Sequence, residues 1–155
     1  MRSLDVLLIE DSNDDVELFL AAASTALTDH LVTKSTGEEA IEYLLDQPDG
    51  SVDLIILDLR LPGMDGNQVL DVLRSDQTLR TIPVIIMSTS FTEQDVVNAY
   101  LRSANAFVVK PLGLDELRAA LRSIEAFWSS TARLPSLGTG FTRPSLGLGG
   151  PAPAW

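Results

Sequence analysis

Glu10, Asp11, Asp58, Ser88 and Lys110 are the residues of this chain whose types and spacing could do chemistry together. Each stands at the end of a short apolar run. Val6-Leu-Leu-Ile9 leads into Glu10-Asp11, Leu54-Ile-Ile-Leu57 into Asp58, Pro83-Val-Ile-Ile-Met87 into Ser88, and Phe107-Val-Val109 into Lys110-Pro111. If those runs are parallel strands, their C-terminal tips share one crevice, the place where open α/β sheets bind ligands. Three carboxylates crowded there resist joint ionisation unless a cation neutralises them. Mg²⁺ suits the task, being a hard ion that takes oxygen ligands and keeps several waters. Lys110 adds a second positive centre, and the Ser88 hydroxyl a hydrogen-bond donor. A carboxylate, a divalent ion and a lysine together suit transfer of a phosphoryl group onto Asp58, because both cations offset charge on its oxygens. Each residue alone has an ordinary reading: an acid pair as a helix cap, a strand-terminal Asp as a turn former, Lys110-Pro111 as a surface loop, Phe107 as core. Their co-occurrence at the ends of strands one, three, four and five carries the inference.

The elements that must position them alternate along the chain. Short β-branched or leucine-rich runs are each followed by a segment with helical spacing, the signature of a parallel α/β sheet. The first strand is expected at Leu4 to Ile9. A helix follows, capped by Ser12 or Asn13, with Asp14, Asp15 and Glu17 in its first turn, where acids suit the positive helix end. Its apolar positions Val16, Phe19, Leu20, Ala23 and Leu27 recur at helical spacing. A weak strand, His30 to Lys34, precedes a second helix that opens at Thr36 with a capping box to Glu39 and ends at Gln47-Pro-Asp-Gly50. Asp53 to Asp58 is strand three, and helix three begins near Asn67. Pro83 to Met87 is strand four, nearly all apolar as befits burial on both faces. Thr92 caps helix four, Ala106 to Val109 is strand five, and helix five runs from Leu114 to about Ser129. The product is five parallel strands and five helices in a doubly wound (βα)5 arrangement, connected right-handed.

Composition agrees with one such domain. The chain has 155 residues, 45% hydrophobic and 21% charged, enough for a full core. It has no cysteine, which excludes disulfides and thiol catalysis, and one histidine, His30, too few for a multi-histidine metal site. No leader is evident, and no apolar stretch approaches the roughly 20 residues of a membrane-spanning helix. A cytoplasmic location is expected. The net charge is −11, and all 22 acids precede residue 130. Nine of the 11 basic residues share that region, which is therefore near −13. Such a field repels nucleic acid and anionic membranes alike, so a protein partner is expected. Residues 130–155 differ: rich in Gly, Pro, Ser and Thr, without acids, yet carrying Leu134, Leu137, Phe141, Leu146, Leu148 and Trp155. The expected division is a domain over 1–129 and a C-terminal tail over 130–155, either a flexible arm or an arm that packs on a partner subunit.

The motifs Leu8-Ile-Glu-Asp11, Leu57-Asp-Leu-Arg-Leu-Pro-Gly-Met-Asp-Gly66, Pro83-Val-Ile-Ile-Met-Ser88 and Ala104-Asn-Ala-Phe-Val-Val-Lys-Pro111 resemble the receiver domain of two-component response regulators, over residues 4 to 128. The resemblance implies the flavodoxin-like strand order 2-1-3-4-5. It implies that Asp58 accepts phosphate from the phosphohistidine of a sensor histidine kinase. Asp11 and Asp58 would bind Mg²⁺ directly, Glu10 through water, and Arg60 through its backbone carbonyl. Lys110 would pair with the phosphate. Ser88 and Phe107 would be the switch residues that carry the signal to the helix four, strand five, helix five face, where a homodimer is expected. Pro111 would follow a cis peptide. The chain departs from the common pattern in Glu10 for aspartate, in Ser88 for threonine, and in Arg60, whose guanidinium could shield the phosphoryl group or pair with Glu10.

A narrower likeness, through Ser88-Thr-Ser90, Asp95, Ala99-Tyr100, Ala104-Asn105-Ala106 and Phe127-Trp128, is to the stand-alone regulators paired with bacterial and cyanobacterial phytochromes. The leading expectation is a single-domain response regulator that signals by protein contact and catalyses only its own phosphorylation and dephosphorylation. Other readings are a phosphate shuttle or sink without its own effector, a phosphatase of the haloacid dehalogenase kind, and a structural dimerisation module. Arg60 stands where such a phosphatase needs a second aspartate, and the full set of site residues speaks against a purely structural role.

Overall fold

A computed structural model describes residues 2–89 and 91–135. Ser90, named above for the narrower likeness, and most of the expected tail lie outside the described residues. Five strands, β1 Val6–Ile9, β2 Leu31–Lys34, β3 Leu54–Leu57, β4 Val84–Ser88 and β5 Ala106–Val109, form one parallel sheet in the order 2-1-3-4-5. The helices are α1 Asn13–Ala22, α2 Thr25–Thr28, α3 Gly37–Asp46, α4 Gly66–Ser75, α5 Glu93–Leu101 and α6 Leu114–Ala126. The single turn α2, capped by Ser24, was not expected; the predicted helices four and five are α5 and α6.

Side-chain alternation divides the three central strands between two cores. Leu7, Ile9, Ile55, Leu57, Val84 and Ile86 face α3, α4 and α5, where they meet Ala40, Leu44, Val69, Leu70, Leu73 and Ala99. Val6, Leu8, Leu54, Ile56, Ile85 and Met87 face α1 and α6, meeting Phe19, Leu117 and Leu121. Leu134, in the expected tail, is buried in this second core.

Caps set most helix starts. Ser12 accepts from the Asp15 N–H, which decides between the two candidate caps of α1. Thr36 accepts from the Glu39 N–H, but the box expected there is half made: the Glu39 carboxylate takes the Ser35 hydroxyl at 3.3 Å instead. Complete capping boxes stand at Asp65/Gln68 on α4, unforeseen, and at Thr92/Asp95 on α5. Helix α6 gives way at Phe127 to a wider π turn, Phe127–Thr131, so the regular helix is shorter than expected. The peptide before Pro111 is trans, not cis, the form an X–Pro amide prefers by about 0.5–1 kcal/mol.

The loop after β3 is tied down on both sides. Gly63 takes a left-handed φ of +68°, and the next residue's N–H donates to Glu38 Oε1 at 3.0 Å. A Cβ on Gly66 would stand 2.6 Å from the Asp58 carbonyl oxygen and 2.8 Å from Leu59 Cα, so the backbone beside Asp58 can close up only over glycine. Gly66→Ala is expected to cost about 1–3 kcal/mol, the range for forced overpacking. Urea unfolding checks it, and an unchanged midpoint would show that the loop yields freely.

Candidate functional site

The order 2-1-3-4-5 reverses direction between β1 and β3, and a ligand crevice opens at such a point. The backbone delivers the predicted residues to it. The Asp58 N–H donates to the Ile9 carbonyl at 3.0 Å, the Glu10 N–H to Lys34 at 3.0 Å, and the Lys110 N–H to Ser88 at 2.8 Å. Glu10, Asp58 and Lys110 thus directly follow β1, β3 and β5, and Ser88 ends β4. Glu10, Asp11 and Asp58 converge so that one oxygen from each lies within 4.8 Å of the others. Glu10 is buried, Asp58 half-buried and Asp11 exposed. Ser88 is buried at the tip of β4. Asp58 Oδ1 accepts the Arg60 N–H at 3.2 Å, which turns the carboxylate along the loop.

Lys110 reaches in from β5, only 10% exposed, with Nζ 2.8 Å from Glu10 Oε2 and 3.2 Å from Asp15 Oδ2. Asp15 was read from the sequence only as a first-turn helix acid. Asp11 precedes the Ser12 cap and lies outside α1, so no helical spacing tied Asp15 to the site in the sequence. The Arg60 guanidinium does not pair with Glu10, whose partner is Lys110. It pairs instead with Asp95 Oδ2 at 2.8 Å, and that carboxylate also accepts the Thr92 N–H at 3.0 Å. Phe107 packs edge-on against Phe91 of the β4–α5 loop, with ring centroids 6.4 Å apart. Its N–H donates to the Tyr100 hydroxyl on α5 at 3.2 Å.

Electrostatics bind the cluster together. Burial pushes the Glu10 carboxyl up to about 7; the Lys110 hydrogen bond opposes this and the Asp58 charge reinforces it. Burial alone would lower Lys110, but its hydrogen bond to Glu10 and the charges of Glu10, Asp58 and Asp15 raise it. Burial therefore wins at Glu10 and pairing wins at Lys110, so the ammonium stays charged. A carboxyl raised in the folded state contributes stability below its ordinary value near 4.5, and that contribution is lost as pH rises through about 7.

Three carboxylates converging within one ion's reach, all hard oxygen donors, fit a divalent cation. Such binding must release the Glu10 proton where one is held. Divalent-ion affinity is thus expected to rise as pH rises through about 7 and to level off once Glu10 is ionised. Calorimetry in buffers of different protonation heat checks this; a flat profile with no proton release would refute it.

Known proteins identify the family. The family pattern described as response regulator receiver domain matches residues 6–122. The response regulator Rcp1 of Synechocystis sp. is 35% identical over 136 residues, spanning 84% of this chain and 92% of that protein. Its Mn²⁺-bound crystal structure superposes with a TM-score of 0.74 at 34% identity, over 84% of this chain and 98% of that one. The phosphorylated cyanobacterial phytochrome response regulator RcpA gives a TM-score of 0.78 at 38% identity, covering 87% of this chain and all of that one. The probable methanogenesis regulatory protein FilR2 of Methanothrix harundinacea is 32% identical, over 84% of this chain and 86% of its own length.

Proposed function

Since this chain belongs to the response regulator receiver family, we propose that Asp58 accepts a phosphoryl group from the phosphohistidine of a sensor histidine kinase, with Mg²⁺ in the site. Receiver domains bind a divalent metal and are phosphorylated by such kinases; the assignment to these residues is our reading. It rests on one observation: Glu10, Asp11 and Asp58 converge at the crevice with the Lys110 ammonium beside them.

Asp58 is half-buried but open to the crevice, so a carboxylate oxygen can approach phosphorus in line with the departing imidazole nitrogen. The new O–P bond forms as the P–N bond breaks, and the nitrogen keeps its electron pair. Asp11 and Asp58 would hold Mg²⁺ directly, Glu10 through water, and the Arg60 carbonyl would complete the protein's share. Bound there, the ion supplies positive charge against the phosphoryl oxygens. Lys110 would turn from Glu10 to the phosphoryl group, and the Ser88 hydroxyl would donate to it.

The signal would then pass through Ser88 and Phe107 into α5, to which Phe107 is joined through Phe91 and Tyr100. The outer side of α5 and β5 exposes Val97, Tyr100, Leu101 and Val109. These support a homodimer through the α5, β5, α6 face, because apolar and aromatic side chains favour interface cores. No helix among the described residues is long and apolar enough to cross a membrane, and we place the protein in the cytoplasm. The likeness to RcpA supports a phytochrome-type kinase as the sensor.

Mass spectrometry after treatment with acetyl phosphate and Mg²⁺ tests the reading. One phosphate on the peptide carrying Asp58, absent with chelator, is expected; none, or one mapped elsewhere, would overturn it. The Arg60 guanidinium, two residues after Asp58 and 60% exposed, is held by Asp95 at the start of α5. Arg60→Ala is expected to shorten the phosphoaspartate half-life several-fold by admitting water, and equal decay rates would dismiss that shielding.

A further inference from the structure

We infer that Asp15 is a positioning residue for Lys110: it keeps the ammonium docked in the site when a divalent ion draws Glu10 away. The inference rests on the reading of Glu10, Asp11 and Asp58 as the metal and phosphoryl site, and adds a residue to it.

Glu10 faces two cations. One of its oxygens accepts Lys110 Nζ at 2.8 Å, and the same carboxylate belongs to the cluster that fits a divalent ion. An ammonium and a divalent ion on one buried carboxylate repel each other, and little water reaches them to screen the repulsion: Glu10 is 5% exposed. Without another anchor, Lys110 must either compete with the ion for Glu10 or leave the crevice. Asp15 is that anchor. Its Oδ2 lies 3.2 Å from Nζ, and it stands outside the cluster of ion ligands. Its place is set by the start of α1, where its N–H donates to the Ser12 cap at 3.3 Å. Its carboxylate is about a third exposed, so it can be rehydrated cheaply when Lys110 turns to a phosphoryl dianion. Asp14, its neighbour in the same turn, makes no ion pair with Lys110.

A double-mutant cycle separates this role from a general loss of negative charge. Calorimetric Mg²⁺ titration of the full chain is expected to show affinity about fivefold weaker in Asp15→Asn, because Lys110 then falls back on Glu10. In a Lys110→Met background, where no ammonium competes, Asp15→Asn should change affinity less than twofold. Asp14→Asn should change it less than twofold in both backgrounds, and Asp15→Glu should restore most of the wild-type value. Equal weakening with and without Lys110, or by Asp14→Asn and Asp15→Asn alike, would overturn the inference. Should Lys110→Met fail to fold, the Lys110 ammonium signal by ¹⁵N NMR decides: in Mg²⁺-loaded protein it is expected sharp in wild type and exchange-broadened in Asp15→Asn, and an unchanged signal would refute the role. A wild-type chain that binds Mg²⁺ and is phosphorylated on Asp58, yet shows additive effects, sinks only this inference. A wild-type chain that does neither sinks the site reading and this inference with it.

Discussion

Asp58→Asn is expected to take up no phosphate under conditions that place one on the wild-type chain. The amide oxygen of asparagine carries no formal charge and its nitrogen lone pair is delocalised, so neither atom attacks phosphorus at a useful rate. The substitution keeps the shape and the acceptor for the Arg60 N–H, now 3.2 Å from Asp58 Oδ1, so the loop should hold. Two further effects follow from the charge. Removing one of three converging carboxylates should weaken Mg²⁺ binding about tenfold, the equivalent of roughly 1.4 kcal/mol. In chelator, the same variant should melt at a higher temperature than wild type, because the Asp58 charge helps push the Glu10 carboxyl up and that repulsion disappears. Intact-mass spectrometry, calorimetry and thermal unfolding read the three effects. A phosphate on the variant would mean that another residue is the acceptor. A melting temperature below wild type would mean that Asp58 serves Lys110 more than it strains Glu10.

Arg74→Ala is expected to be among the most damaging substitutions far from the site. The guanidinium lies half-buried at the opposite end of the sheet. Its Nε donates to the Ser103 carbonyl at 3.0 Å, Nη1 to the Arg80 and Ile82 carbonyls at 3.0 and 2.9 Å, and Nη2 to Asn105 Oδ1 at 3.1 Å. That Asn105 oxygen also accepts the Val84 N–H at 2.8 Å. One planar cation thus ties the last turn of α4 to the start of β4 and to the α5–β5 turn, where Ser103 holds a left-handed φ of 65°. Burial lowers the guanidinium's proton affinity without discharging it. Alanine leaves three carbonyls and an amide oxygen without this donor, and hydrogen bonds from a charged group are each worth about 1.5–3 kcal/mol, not additively. The expected loss is about 3 kcal/mol, or on the order of 10 °C in Tm. Arg74→Lys should recover less than half, because a single ammonium cannot span four acceptors in a fork. Urea unfolding checks both, and a loss under 1 kcal/mol would show that water replaces the guanidinium.

The same contrast separates what was legible in the residues from what was not. The strand after Asp53 and the strand after Pro83 were readable because parallel strands covered on both faces must be apolar at nearly every position, and Leu54–Leu57 and Val84–Met87 are. The convergence of Glu10, Asp11 and Asp58 was readable for a related reason: in a parallel sheet, residues that end neighbouring strands share an edge whatever their loops do. Helix starts were readable where a short polar side chain has one backbone N–H to satisfy, as at Ser12 and Thr92. Glu39 shows the limit, because its carboxylate found a second local donor in Ser35.

By itself, then, the sequence determined the parallel α/β architecture, the family and the residues gathered at the sheet edge, since burial, alternation and strand ends act through near neighbours in the chain. Only the tertiary structure decided the partners of the long side chains. Arg60 went to Asp95 and not to Glu10, Lys110 divided itself between Glu10 and Asp15, and Arg74 went to three backbone carbonyls. Arginine and lysine arms reach several ångströms in many rotamers, so their contacts are set by which acceptors the packed elements bring within reach, and the Lys110–Glu10 and Arg60–Asp95 pairs join residues 100 and 35 positions apart.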